Sequence, residues 1–374
     1  FGDHDGDGKN EIISGVQTIS DAKVYVFDID GNLLWKKTLL PGMGATPALT
    51  YVDEDNKLDI VYPAVEFLGQ KEYIYVWNYK GEDIKPWPIE HKLLIPYADW
   101  QSPTVEDVDG NGRDEILFTF PNKGGNLIYK GDGTRINGPW EDVVGSAAQE
   151  KNIYAVDTNN DGEKEIFLLR DKLYVWSNKG LPLFTFDFKS PNSPEFRYMI
   201  FSNVDLDPQL EIIVYYRGLS AFDQINSPSQ LLIFDGNDFS LQYRYFVESF
   251  TSPIAANIDK DDQAEILFIG FLRIGYLLFH AINYDGSEIN GFPIELLFKG
   301  ASTSRIRIGN IDMDDDIDIV LSNEDNLKYV KGGLVSDLNL ELFSESEFSN
   351  IYFYLPFHGG VIISDIDNDK RNEF

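Results

Sequence analysis

An acidic nine-residue loop recurs along the whole chain, and no other feature restricts the fold as strongly. Counted from the first candidate ligand, the copies are DHDGDGKNE from Asp3, YVDEDNKLD from Tyr51, DVDGNGRDE from Asp107, DTNNDGEKE from Asp157, NVDLDPQLE from Asn203, NIDKDDQAE from Asn257, NIDMDDDID from Asn310 and DIDNDKRNE from Asp365. Successive starts lie 46 to 56 residues apart. A period near 50 is the length of one four-stranded propeller blade.

Within a period the pattern is strand after strand. An apolar run follows each loop (EIISGV, EILFTF, EIIVYY), then a β-branched and aromatic run with a polar turn (KVYVFDIDG, LYVWSNKG). A third run such as NLLWKKTL and a Pro- or Gly-marked fourth such as SPTVEDVD lead into the next loop. No segment sustains apolar spacing at i, i+3, i+4, i+7 between helix caps. The reading is all-β: a β-propeller of four-stranded antiparallel blades, which stack their faces and close a ring because no blade can bury both faces alone. Seven intervals predict seven blades in a single domain over 1–374, and the eighth loop leaves an eight-bladed ring open. Trp77 and Trp176 fall mid-strand and are expected in the core. Both ends of the sequence fall inside the repeat, as expected of a piece cut from a longer secreted chain.

The loops themselves have the chemistry of a calcium site. Positions one, three and five offer Asp3, Asp5 and Asp7; Asp107, Asp109 and Asn111; Asp157, Asn159 and Asp161; Asn203, Asp205 and Asp207; Asn257, Asp259 and Asp261; Asn310, Asp312 and Asp314; and Asp365, Asp367 and Asp369. Position nine closes each shell with Glu11, Glu115, Glu165, Glu211, Glu265, Asp318 or Glu373. Position seven is expected to add a backbone carbonyl, from Lys9, Arg113, Glu163, Gln209, Gln263, Asp316 or Arg371. Calcium takes six to eight oxygens at about 2.3–2.6 Å in irregular geometry, which such a loop suits better than magnesium's strict octahedron. An EF-hand would need an acid at position twelve and a following helix; here position twelve is Ser14, Phe118 or Leu168, inside a strand.

Copies differ in quality. Gly8, Gly112 and Gly162 at position six allow the positive φ of a tight wrap, so the loops from Asp3, Asp107 and Asp157 are expected to bind best. Asp262, Asp315 and Lys370 replace that Gly in later copies, and Pro208 fixes a negative φ in the fifth. The second copy ranks lowest and is expected to be empty, because Tyr51 removes the first-position carboxylate.

Charge agrees with several ions, one per intact loop. The chain has 31 basic and 62 acidic residues, a formal net charge of −31, which repels nucleic acid and which bound dications would offset. No apolar run reaches the roughly 20 residues that a membrane-spanning helix needs. With no Cys in the chain there is neither a disulfide framework nor a thiolate site.

The chain resembles the FG-GAP, or VCBS, repeat propellers, the group that includes the N-terminal propeller of integrin α subunits. FGD at Phe1 to Asp3, GATPALTYVDEDNKLDI from Gly44, SPTVEDVDGNGRDEI from Ser102 and SPIAANIDKDDQAEI from Ser252 carry the pattern. The resemblance covers essentially the whole chain and implies calcium on one face with partners on the other. Its members range from adhesion receptors to lectins and polysaccharide lyases, so it specifies function weakly. Unlike integrin propellers, this chain has neither Cys nor an N-x-S/T sequon, which points to a microbial secreted or cell-surface protein.

No catalytic constellation stands out: there is no G-x-S-x-G elbow, P-loop, G-x-G-x-x-G or H-E-x-x-H. His4, His91, His280 and His358 lack metal-ligand spacing and are expected at the surface or in loops. If calcium sits at the first-to-second strand turns, the opposite ends of the sheets are rich in aromatics and Arg. Candidate ligand-binding residues there are Tyr97, Asp99, Trp100, Arg197, Tyr198, Arg217, Phe222, Arg273 and His358. The expectation is a calcium-binding extracellular propeller that acts as a binding or adhesion module for a protein or glycan. The alternatives are a polysaccharide lyase-like enzyme on the same scaffold and a structural subunit of a surface assembly.

Overall fold

The computed structural model describes residues 2–17, 22–39, 42–44, 46–66, 71–92, 102–119, 125–143, 153–188, 196–217, 229–246, 252–273 apart from 260 and 262, 276–297, 305–309, 318–322, 327–330 and 340–341. These residues form seven antiparallel sheets, and the one helical element among them is a 3-10 turn at Pro139–Asp142. Five sheets have four strands in sequential order, one has three, and one has five because both Gly42–Gly44 and Ala48–Thr50 pair with Asp59–Glu66.

The sheet around the third loop shows how sequence builds each unit. Thr104–Glu106 pairs with Glu115–Thr119 across the loop, with Glu106 opposite Glu115, so the acidic loop is the connection of the first hairpin. Glu115–Thr119 is buried along its length, as a central strand covered on both faces must be, and its Ile, Leu and Phe supply that burial. Asn126–Tyr129 and then Arg135–Ile136 complete the sheet. Outer strands alternate instead: in Leu241–Phe246 every second residue is exposed, the period-two pattern of a strand with one wet face.

The chain divides into two compact units, residues 1–157 with 161–193, and residues 158–160 with 194–374. The first contains four of the sheets and the second three. Inside each unit the core lies between the faces of successive sheets. In the first, Val61, Ile74, Val76 and Trp87 of one sheet meet Ile116, Phe118 and Leu127 of the next, and Leu117 and Ile128 meet Ile166, Leu168 and Trp176. In the second, Ile213 and Ile233 meet Ile266 and Phe268. Trp77 is in the core, packed with Val24, Val26 and Tyr62.

A second contact repeats between neighbouring sheets of the first unit. The outer strand of one sheet, or the segment flanking it, places a ring over the turn between the third and fourth strands of the next. Trp35 covers Gly81, whose φ of +76° suits Gly, and its Nε1 donates to Tyr79 O at 3.0 Å. Pro86 covers Gly133 and Pro139 covers Gly180 in the same way. Trp87 Nε1 likewise donates to Gly131 O at 2.8 Å. Indole N–H groups buried in this way keep a partner, which is the condition for burying Trp at low cost.

Candidate metal centre

Five of the described loops are locked to the strand behind them by their ninth residue. Glu115 Oε2 accepts from Val108 N at 2.9 Å and from Asp109 N at 3.3 Å. The same oxygen of Glu11 accepts from His4 N, that of Glu211 from Val204 N, and that of Glu265 from Ile258 N, at 2.9, 2.9 and 2.7 Å. Asp59, one carbon shorter, does this with Oδ2 on Val52 N at 2.9 Å. All five carboxylates are buried. Apolar position-two residues, Val52, Val108, Val204 and Ile258, sink into the core alongside and hold the backbone N–H against the acid.

The first residue shapes the loop in a different way. Asp107 Oδ1 accepts from Asn111 N at 3.0 Å and Oδ2 from Gly112 N at 2.7 Å. Asp3 binds Gly6, Asp7 and Gly8 N–H groups at 2.8 to 3.0 Å, and Asp157 binds those of Asp161 and Gly162. Position six has positive φ where it is Gly, +88°, +84° and +88° at Gly8, Gly112 and Gly162, as the sequence predicts. Where the first residue is Asn the wrap reverses: Asn203 and Asn257 donate their amides to Asp207 O and Asp261 O.

Carboxylates converge at five loops, each group with one oxygen per residue inside a span of 4.8 Å: Asp3, Asp5 and Asp7; Asp53, Asp55 and Asp59; Asp107, Asp109 and Glu115; Asp205, Asp207 and Glu211; Asp259, Asp261 and Glu265. The fourth loop keeps the Asp157 wrap, but its acids are not among these convergent groups. Tyr51 does not keep the second loop from forming a cage, because Asp53, Asp55 and Asp59 gather as in its neighbours and Asn56 takes the positive φ, 57°, that Gly takes elsewhere.

A hard dication fits this donor set. Asp59 Oδ1, Glu211 Oε1 and Glu265 Oε1 are buried with no hydrogen-bond partner, each beside two further carboxylates, an arrangement that is costly unless a cation neutralises it. Burial, reinforced by the neighbouring aspartates, pushes the carboxyls of Asp59, Glu115, Glu211 and Glu265 up to about 7. All-oxygen donors of this kind suit calcium. At the third loop Lys130 Nζ lies 2.6 Å from Asp109 Oδ2, so an ammonium already supplies part of the positive charge there.

Other expected ligands fall differently. Lys9, Arg113, Glu163, Gln209 and Gln263 occupy position seven; the N–H groups of Lys9, Glu163, Gln209 and Gln263 donate to the position-five Asp, and that of Arg113 donates to Asn111. Asn310, Asp312, Asp314, Asp316, Asp365, Asp367, Asp369, Arg371 and Glu373 lie outside the described residues, as do Tyr97, Asp99, Trp100, Phe222 and His358. Arg197, Arg217, Arg273 and Asp318 are on strands, with their side chains outside the description. Tyr198 is half-buried and stacks on Tyr215 with ring centroids 6.0 Å apart, a packing role. Of the histidines expected at the surface or in loops, His4 is in a loop but buried, and His91 and His280 are on strands. His4 is buried with Nδ1 2.8 Å from Glu11 Oε2, His91 Nε2 lies 3.1 Å from Tyr129 Oη, and His280 stacks on Phe268 with Nδ1 2.6 Å from Glu288 Oε1. Nothing in the one-dimensional pattern marks these pairs, since Tyr129 is 38 residues from His91.

Sheets stacked face on face, with converging carboxylates at five of the loops, define a β-propeller. Residues 107–168 match the FG-GAP-like repeat, and related loops recur at the same interval on either side of that match. Among solved structures it is similar to Saccharomyces cerevisiae Sqt1 (10% identity, 90% of this chain and 82% of that one, TM-score 0.51) and to the Dos1 propeller (9% identity, 90% and 84%, TM-score 0.50). It also matches the V. cholerae biofilm matrix protein Bap1 (14% identity, 90% and 70%, TM-score 0.42). No curated protein matches the sequence. No helix among the described residues is long and apolar enough to cross a membrane.

Proposed function

We propose that this chain is a calcium-stabilised extracellular or cell-surface propeller, of microbial type, that serves as a binding module for a protein or glycan partner. The observation that carries the calcium part is the set of buried, unpartnered carboxylate oxygens at Asp59, Glu211 and Glu265, each facing two more acids. Calcium would be held there by the side chains at positions one, three, five and nine, and its charge would let the buried acid stay ionised. Loops whose outer ligands are solvent-exposed, such as Asp55, Asp109 and Asp261, favour weak sites of the extracellular kind, with dissociation constants of about 10⁻⁴–10⁻³ M. Such sites fill outside the cell and stay empty in the cytosol.

The loops lie at one end of each sheet, joining its first two strands, so a partner is assigned to the opposite end. The candidates for that role are those read from the sequence, Tyr97, Asp99, Trp100, Arg197, Tyr198, Arg217, Phe222, Arg273 and His358, residue types suited to stacking on sugar rings and to protein hot spots. Nucleic acid is not assigned as a partner, because a net charge of −31 opposes it. Calorimetric titration of the chelated chain with calcium, followed by glycan-array and surface-protein capture with and without calcium, tests both parts. Saturable uptake of several ions with a raised melting temperature supports the calcium part. Absence of uptake would sink it, and uronate elimination by the purified chain would replace the binding role with catalysis.

A further inference from the structure

Loop position eight reaches back to the start of the preceding loop. Leu58 Cδ1 packs 3.2 Å from where a Cβ on Gly2 would sit, and the Lys164 ammonium meets the Glu106 carboxylate. Of the eight copies only the third has an acid at this position, Asp114; the others have amides, apolar residues or Lys. That single acid lands on the one loop lacking an Asp or Asn of its own at position one. Asp114 Oδ2 accepts from Thr50 Oγ1 at 2.6 Å and from Tyr51 N at 3.2 Å, while Asp114 N donates to Tyr51 O at 3.2 Å. Thr50 is buried, so this contact is part of the packed structure.

We propose that Asp114 is the positioning residue that makes the second loop a calcium site, doing from the neighbouring sheet what Asp3, Asp107 and Asp157 do from within their own loops. Those aspartates fix the loop backbone through its N–H groups; Asp114 fixes the backbone of Tyr51, two residues before the ligand Asp53. Two features place the second loop among the binding loops: its three converging acids and the buried Asp59 Oδ1 without a partner. Asp114 adjoins Glu115, which closes the third loop, so the two cages share a rigid element. An ion in the third loop then preorganises the second, and the two bind with positive coupling. This inference rests on the calcium reading above.

The test is calcium titration of the full chain by calorimetry and flow dialysis, comparing wild type with Asp53→Asn/Asp55→Asn, Asp114→Ala, Asp114→Asn and Thr50→Val. The double substitution should remove one equivalent. Asp114→Ala should weaken one equivalent by roughly tenfold, the usual loss when a residue that orients a metal ligand is removed. Thr50→Val, which changes no residue of the third loop, should weaken that equivalent severalfold. Asp114→Asn keeps an acceptor oxygen and should stay within about twofold of wild type, a rescue that a generally damaged loop would not show. Should Asp114→Ala fail to fold, Thr50→Val and the double substitution decide. Unchanged binding in Thr50→Val and Asp114→Ala, or an unchanged number of ions in the double variant, overturns the proposal while leaving calcium elsewhere intact. A wild-type chain that takes up no calcium overturns the underlying reading as well.

Discussion

Loops that begin with Asp and loops that begin with Asn or Tyr hold their backbone by different means. In the first group, at Asp3, Asp107 and Asp157, both oxygens of the leading carboxylate are engaged by backbone N–H groups, so the turn is formed before any ion arrives. In the second group the leading amide donates to a carbonyl within the loop, at Asn203 and Asn257, or the clamp comes from another sheet, at Tyr51. The constant element is the buried ninth residue. The lesson is that position one sets how preorganised a loop is, while position nine ties the cage to the core.

The largest test of that comparison is removal of calcium from both groups together. At a concentration 100 times the dissociation constant each filled site adds about 2.7 kcal/mol, so chelation should lower the melting temperature by on the order of 10 °C or more. Hydrogen exchange should rise more in the Asn203 and Asn257 loops than in the Asp107 loop.

Acidity provides the next test. Asp59, Glu115, Glu211 and Glu265 have carboxyls pushed up to about 7 by burial, above their values in the unfolded chain. The folded form without metal therefore holds protons that the unfolded form has released, and these groups favour folding fully below about pH 4. That contribution is lost as the pH rises through about 7. In chelator, the melting temperature attributable to these groups should fall across this window. With calcium present the trend should reverse, because ion uptake releases those protons and tightens with pH. Melting curves at several pH values with and without calcium check the sign.

A smaller effect separates the two groups directly. Asp107→Ala frees two backbone N–H groups and should cost about 1–2 kcal/mol even without metal, as loss of a helix-cap acid does. Asn203→Ala should cost less than 1 kcal/mol without metal, and chemical denaturation of the two variants in chelator measures the difference. The smallest effect concerns position six. Gly112→Ala places a Cβ at φ +84° and should destabilise by about 1 kcal/mol, whereas Asn56→Gly should change stability by less than that. Paired denaturation curves should show that ordering.

Much of this was legible in the sequence for a definite reason. Alternating acids followed at once by an apolar run are local signals, and local signals specify a hairpin loop and the buried strand that begins with Glu115. Trp77 and Trp176 were legible as core because they belong to the apolar strand runs YIYVW and LYVW. The clamp from Asp114 to Tyr51 was not, because the partners are 63 residues apart and meet only when two sheets stack. The second loop therefore reads as defective in one dimension and well formed in three. The buried His4–Glu11 contact hid for a related reason: a His inside an acidic stretch looks solvated until the ninth residue is seen to turn inward. The cover of Trp35 over Gly81 had no local signature at all.

That last contact gives the array a direction. Each cover in the first unit comes from the earlier sheet and rests on the turn of the later one, from Trp35 to Gly81, Pro86 to Gly133 and Pro139 to Gly180. Loosening of one sheet therefore uncovers its successor's turn while leaving its predecessor's turn roofed. Exposure of these three turns is therefore expected to pass toward higher residue numbers, beginning with the turn that Trp35 covers.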